Sequence, residues 1–142
     1  MRTIGRDRQT LIFDGDDTLW ENNVYFERAI DDFIAYLDHS TLSPVEVRAV
    51  LDEIERANIR VHGYGAAMFG RSLRECSEHL HQRHLDVAEL ATVMRFAERI
   101  LSQPMDVIAD VDETLAALAA RHEVALLTKG HDEEQRLKIE RS

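Results

Sequence analysis

The sequence predicts an α/β fold in which a bundle of helices interrupts a partial parallel sheet. Three observations predict it. Two apolar runs, at residues 11–13 and 124–127, each end abruptly in polar residues and a glycine. Runs too short for a helix and too apolar for a loop read as buried parallel strands. Between them lie four stretches with apolar residues at helical spacing, joined by short links. The order strand, helical insert, helix, strand, helix is that of an open α/β sheet with an insertion after its first strand.

The elements follow in order. Residues 1–9 are polar and basic and read as a lead-in that frays. Leu11, Ile12 and Phe13 form the first strand, whose carboxyl end pushes Asp14 and Asp16 into a crevice, where open α/β sheets bind ligands. Gly15 lets the backbone come close to whatever the acids hold. Past the connector Trp20-Glu21-Asn22-Asn23, the residues Phe26, Ile30, Phe33, Ile34 and Leu37 line one helix face. Ser43-Pro44-Val45-Glu46 is a helix start with a capping box and a proline in the first turn. Val47, Val50, Leu51, Ile54, Ala57 and Val61 continue that second stripe until His62-Gly63-Tyr64-Gly65 breaks it. A third helix carries Phe69, Leu73, Cys76 and Leu80, with Gly70 weakening its start by up to ~1 kcal/mol. Asp86 and Glu89 open a fourth, with Leu90, Val93, Met94, Ala97 and Leu101 inward. Asp110 and Glu113 start a fifth, with Val111, Leu115, Leu118 and Ala119 inward. A second buried strand then ends in Thr128-Lys129-Gly130, and a last helix begins around Asp132.

Composition narrows the function. The chain has 142 residues, 44% hydrophobic and 31% charged, which suits one globular domain or a small domain with an insertion. A net charge of −10 argues against nucleic acid as a partner. No stretch approaches the ~20 apolar residues of a membrane span, and the N-terminal residues have no apolar signal core. The single cysteine, Cys76, excludes an intramolecular disulfide and points to a reducing cytoplasm, with Cys76 itself a small buried hydrophobe. His79, His81 and His84 share a helix but lack a paired carboxylate, so they read as surface residues.

Two aspartates at i and i+2 on a strand end suit phosphoryl chemistry. One carboxylate can attack phosphorus, and the other can protonate the leaving oxygen and then deprotonate water. A hard cation such as Mg²⁺ would offset the repulsion among acids and phosphate. An EF-hand reading of the same stretch fails, because Leu19 stands where glycine is needed and Tyr25 where the bidentate glutamate belongs. Phe13-Asp14-Gly15-Asp16-Asp17-Thr18-Leu19 resembles the first motif of the haloacid dehalogenase (HAD) superfamily, hydrophobic residues followed by Asp-x-Asp-x-Thr. The resemblance implies that Asp14 is the nucleophile and Asp16 the general acid/base, with Asp14 and the backbone carbonyl of Asp16 holding Mg²⁺. Many members have glycine where this chain has Asp17, and aspartate tolerates left-handed backbone better than most residues. Leu126-Leu127-Thr128 is similar to the second motif, which implies that the Thr128 hydroxyl bonds the phosphoryl group. Lys129 and Gly130 add a charge and a backbone N–H at the same strand end. The implied architecture is a partial, Rossmann-like parallel sheet at residues 1–19 and 103–142, with a C1-type helical cap at residues 20–102.

The resemblance covers nearly the whole chain but only two of the family's four motifs. The downstream lysine and the later pair of acids have no counterpart in motif form. Lys138, ten residues past Thr128, and Lys129, nearer the site, are the available substitutes. A Mg²⁺ ion held by Asp14, the Asp16 carbonyl and water alone is expected to bind weakly. The expectation is a Mg²⁺-dependent phosphatase of a small phosphorylated metabolite, of which these residues are the amino-terminal part and only weakly active or inactive alone. A non-catalytic module for binding or oligomerisation is the alternative. A dehalogenase is disfavoured, because halide departure needs no proton from Asp16. Tyr64, between two glycines, is placed to reach over the crevice, and Trp20 to line the pocket or pack the hinge. The later strands' absence bares one sheet edge, through which a homo-oligomer is expected.

Overall fold

The computed structural model describes residues 8–142, so most of the lead-in lies outside the described residues. Strand β1 (Thr10–Phe13) pairs in parallel with β2 (Glu123–Leu126), with Phe13 opposite Leu126. The ladder runs on by one bond at each end, Glu123 N–H to the Gln9 carbonyl and Leu127 N–H to the Phe13 carbonyl, both 2.8 Å. That register sets the Asp14 and Thr128 ends of the strands side by side.

Between the strands run α1 (Asn23–Leu37), α2 (Pro44–His62), α3 (Ala66–His81) and α4 (Val87–Ser102), followed by α5 (Val111–Ala119); α6 (Asp132–Arg141) follows β2. Both capping boxes form: Ser43 with Glu46 starts α2, and Asp86 with Glu89 starts α4. The core sits in the bundle. Ile30 and Phe33 of α1, Leu51 of α2, Phe69, Leu73 and Cys76 of α3, and Val93, Phe96 and Ala97 of α4 pack as one cluster. Phe26 meets Phe69 edge-on at 5.2 Å between centroids, and Phe33 meets Phe96 at 6.0 Å, geometries that favour aromatic pairs.

Several expectations are corrected. The strands are parallel but not buried: Ile12 is 65% and Leu127 69% exposed, because a two-stranded sheet with one short helix beside it has a face and edges uncovered. For the same reason α5 has no fully buried residue, and Ala119 is exposed. On α2, Ala57 and Val61 face solvent, and the inward position goes to Asn58. Its amide donates to Ser72 Oγ at 3.1 Å and Glu75 Oε2 at 2.9 Å, so a polar pairing with α3 replaces the apolar stripe there. Leu101 is likewise exposed, in the last turn of α4. Gly70 is more than a weak helix residue. A Cβ there would lie 2.8 Å from Met94 Cε and 3.1 Å from Ala97 Cβ, so its absence lets α3 and α4 approach closely.

Candidate active site

The loop leaving β1 is a tight turn tied to its own ends. Thr18 and Leu19 N–H groups donate to the Gly15 carbonyl at 3.1 and 2.8 Å, and Asp17 N–H donates to the Trp20 carbonyl at 2.8 Å. Asp17 adopts φ 58°, the left-handed backbone that its residue type tolerates. Gly15 has a different reason from the one its neighbours suggest. A Cβ on it would stand 2.7 Å from the Trp20 ring and 3.3 Å from Thr128 Oγ1. What comes close to this glycine is therefore protein, the hinge tryptophan on one side and the second strand's threonine on the other.

Asp14, Asp16, Thr128 and Lys129 line one open crevice of about 580 Å³, together with Ile12, Phe13, Leu127 and Tyr64. The cap thus contributes Tyr64, which is 70% exposed and flanked by Gly63 at φ 80° and Gly65 at φ 143°. The Asp14 carboxylate is exposed and has no hydrogen-bond or ion-pair partner among the described residues, which leaves it free for a ligand. Thr128 Oγ donates to Gln135 Oε1 of α6 at 2.9 Å, and Gly130, at φ 134°, is held against the Gln135 amide. Lys129 is exposed and Gly130 does not line the crevice.

Trp20 does not line the crevice. It is 3% exposed and packs at the hinge, where its Nε1–H donates to Asp16 Oδ1 at 2.8 Å. The same oxygen accepts from Lys138 Nζ at 2.7 Å. Lys138 comes from α6, whose polar sequence gives no stripe from which an inward face could be read. The lysine that reaches the acids is therefore the more distant of the two substitutes, and its partner is Asp16 rather than Asp14.

The two cap connections run beside each other: Glu21 N–H donates to the Asp106 carbonyl at 2.8 Å, and Ile108 N–H to the Leu19 carbonyl at 2.9 Å. Tyr25 OH closes the hinge, donating to Asp106 Oδ2 at 2.6 Å and accepting Asp106 N–H at 3.2 Å. Burial, with the Asp106 carboxylate beside it, pushes the Tyr25 phenol above its ordinary value.

The described residues hold no cluster of three or more His, Cys, Asp or Glu side chains able to bind a metal. The oxygen donors available, the free Asp14 carboxylate and the Asp16 backbone carbonyl, fit a hard cation that keeps most of its water. The Asp16 side chain offers at most Oδ2, since Oδ1 is committed to Trp20 and Lys138.

Scanned against protein-family models and against curated proteins, the sequence matches none. Solved structures do match. A haloacid dehalogenase-like family hydrolase from Xanthomonas campestris is 34% identical over 100% of this chain, with a TM-score of 0.86. YfnB from Bacillus subtilis, described as a HAD-hydrolase and solved bound to magnesium, is 13% identical over 94% of the chain with a TM-score of 0.59. A 2-haloacid dehalogenase from Pseudomonas syringae pv. Tomato is 25% identical over 92%, with a TM-score of 0.56. The chain spans 59% of the length of each of these proteins. No helix among the described residues is long and apolar enough to cross a membrane. With the Asp-loop on a parallel strand, a helical cap between the strands and a relative 34% identical over the whole sequence, this chain belongs to the haloacid dehalogenase-like superfamily of hydrolases.

Proposed function

We propose that the site is built for Mg²⁺-dependent hydrolysis of a phosphate monoester of a small cytoplasmic metabolite. One observation carries this reading: an unpaired Asp14 carboxylate shares a crevice with Asp16, whose Oδ1 is fixed and whose Oδ2 has no partner among the described residues. A nucleophile beside a separately anchored acid/base is what phosphoester cleavage needs, whereas halide departure needs only the nucleophile. In the first step an Asp14 oxygen bonds phosphorus, the ester P–O bond breaks, and Asp16 gives its proton to the departing alkoxide. In the second, Asp16 takes a proton from water as the water oxygen attacks phosphorus, which frees the Asp14 carboxylate and releases phosphate. Thr128 and Lys129, which line the crevice, receive the phosphoryl oxygens on this reading, whereas Gly130 lies outside its lining. Mg²⁺, when bound by Asp14 and the Asp16 carbonyl, supplies charge that lets the anionic ester approach. Tyr64 covers the crevice from the cap and contacts the alcohol portion of the substrate.

Turnover by residues 1–142 is slow on this reading, because no cation pairs with Asp14 among the described residues and the metal donors are few. The test therefore reads the intermediate as well as the product. With Mg²⁺ and labelled acetyl phosphate, we expect an acid-stable, hydroxylamine-labile label on the chain that Asp14→Asn abolishes. Absence of both label and aryl-phosphate hydrolysis would favour the second reading, a non-catalytic module. Dechlorination of a 2-chloroacid without labelling would overturn the phosphate reading in favour of carbon chemistry. For partners, the exposed Ile12 and Leu127 and the uncovered edge lead us to propose self-association, which a purely monomeric sedimentation profile would contradict.

A further inference from the structure

Helix α6 is held to the cap by charged side chains on one face. Glu134, Lys138 and Arg141 fall at i, i+4 and i+7, and each reaches a different cap element. The Glu134 carboxylate accepts the Ala66 N–H at 3.1 Å, at the N-terminus of α3, where an anion is favoured. The Arg141 guanidinium donates to the Leu101 carbonyl near the C-terminus of α4. Lys138 lies between them and does something different. Its Nζ donates to Asp16 Oδ1 at 2.7 Å and to Asn22 Oδ1, at the start of α1, at 2.9 Å. With side chains 18% and 26% exposed, Lys138 and Asp16 form the least exposed ion pair among the described residues.

From this geometry we propose that Lys138 is a positioning residue for Asp16, a role that rests on the acid/base reading above. Asp16 Oδ1 receives two donors from different directions, the Trp20 indole and the Lys138 ammonium, so the carboxylate cannot rotate without losing one of them. Oδ2 is thereby left as the oxygen that meets the substrate. A charged, partly buried donor at 2.7 Å restrains the rotamer far more than an exposed one, which would exchange with water. Because the same ammonium holds Asn22, Asp16 is set in place by the seating of α1 as well as by its own loop. The Lys138 ammonium bonds Asp16 and Asn22 and makes no hydrogen bond to Asp14. It acts through Asp16.

The chain contains one tryptophan, so the Trp20 indole N–H is a single reporter on Asp16 Oδ1. The experiment follows that resonance and its hydrogen-exchange rate by ¹⁵N NMR at neutral pH in wild type, Lys138→Met and Arg141→Met. Lys138→Met is expected to shift the indole signal and speed its exchange by about tenfold, as expected when a charge-assisted anchor is lost. Arg141→Met removes a neighbouring contact of the same helix face and is expected to lower the melting temperature while leaving the indole as in wild type. If Lys138→Met does not fold, Lys138→Gln is read in the same way. An unmoved indole in the Lys138 variant, or an equal shift in Arg141→Met, overturns the proposal, the latter by reducing it to helix docking. The readout needs no turnover, so an inactive chain leaves it decisive. Failure of Asp14 labelling would then count against the phosphate reading alone.

Discussion

The Asp17 carboxylate accepts the backbone N–H of Asn23 at 2.9 Å and also that of Asn22 at 2.9 Å, capping α1 from five and six residues upstream. Asn22, the residue at the N-cap position, makes no side-chain cap bond of its own. One side chain of the loop after β1 therefore both permits the left-handed turn and starts the first helix of the cap. Asp17→Ala loses the cap and places a Cβ-bearing residue with no local hydrogen bond at φ 58°, at a combined cost of about 1–3 kcal/mol. Asp17→Asn keeps an acceptor and a residue that tolerates this backbone, and should cost less than half as much. Urea midpoints at unchanged slope check the pair.

Gly15 is the second position where the loop has no freedom. Its missing Cβ is the space filled by the Trp20 ring, and that ring is buried and fixed by the bond to Asp16. Gly15→Ala is expected to destabilise by about 1–3 kcal/mol, as overpacking against a rigid partner does. Tryptophan fluorescence should also shift to the red as Trp20 is pushed from its site. Unchanged emission with unchanged stability would show that the loop relaxes freely.

Acid should loosen the cap at a defined place. Arg83 beside Glu89, with the capping-box bond from the Asp86 N–H, holds the Glu89 carboxyl down at about 2. Between the unfolded value of about 4.3 and pH 2, the unfolded chain binds the proton and the folded chain does not, so stability rises with pH there. The contribution is full above that unfolded value and is lost as pH falls through 2. Glu89→Gln should flatten this acid limb, read from melting temperatures between pH 5 and 2.

Glu55 carries the opposite sign. Burial, with Asp52 nearby, raises its carboxyl above the ordinary range. Its contribution is present below the unfolded value and is lost as pH rises, since the folded state holds the proton to higher pH than the unfolded chain does. Glu55→Gln should therefore raise the melting temperature at pH 7 relative to wild type, with the advantage disappearing near pH 4. An advantage of equal size at both pH values would mean that packing rather than ionisation is responsible.

Cys76 should be chemically silent while the bundle is intact. It is fully buried, and burial, with Glu55 nearby, pushes its thiol up to about 12. At pH 8 almost none is thiolate, the form that reacts, whereas an unfolded cysteine near pKa 8.5 is about a quarter ionised. A disulfide reagent should label the chain only in denaturant. Labelling of the native protein within seconds would show that the bundle opens readily.

The helices were legible because their signals are local. Apolar spacing places α1 to α4, and Ser43 with Glu46 and Asp86 with Glu89 mark two starts, since a cap bond needs only residues three apart. The Asp17 backbone was legible for the same reason. The strands were placed, but their exposure was not, because burial of Ile12 and Leu127 depends on what lies across the sheet. Ala57 and Val61 continued a stripe on paper, yet α3 offers Ser72 and Glu75 to that end of α2, so Asn58 turned inward instead.

By itself, then, the sequence determined the family, the order of elements, and the two strand ends carrying Asp14, Asp16 and Thr128. Only the tertiary structure decided that Lys138, 122 residues beyond Asp16, is the cation that reaches the acids, while Lys129 beside Thr128 stays exposed. The physical reason lies in α6. A helix whose two large apolar residues, Leu137 and Ile139, form no periodic face does not announce its orientation, so its placement follows from where the cap presents helix ends of the right charge.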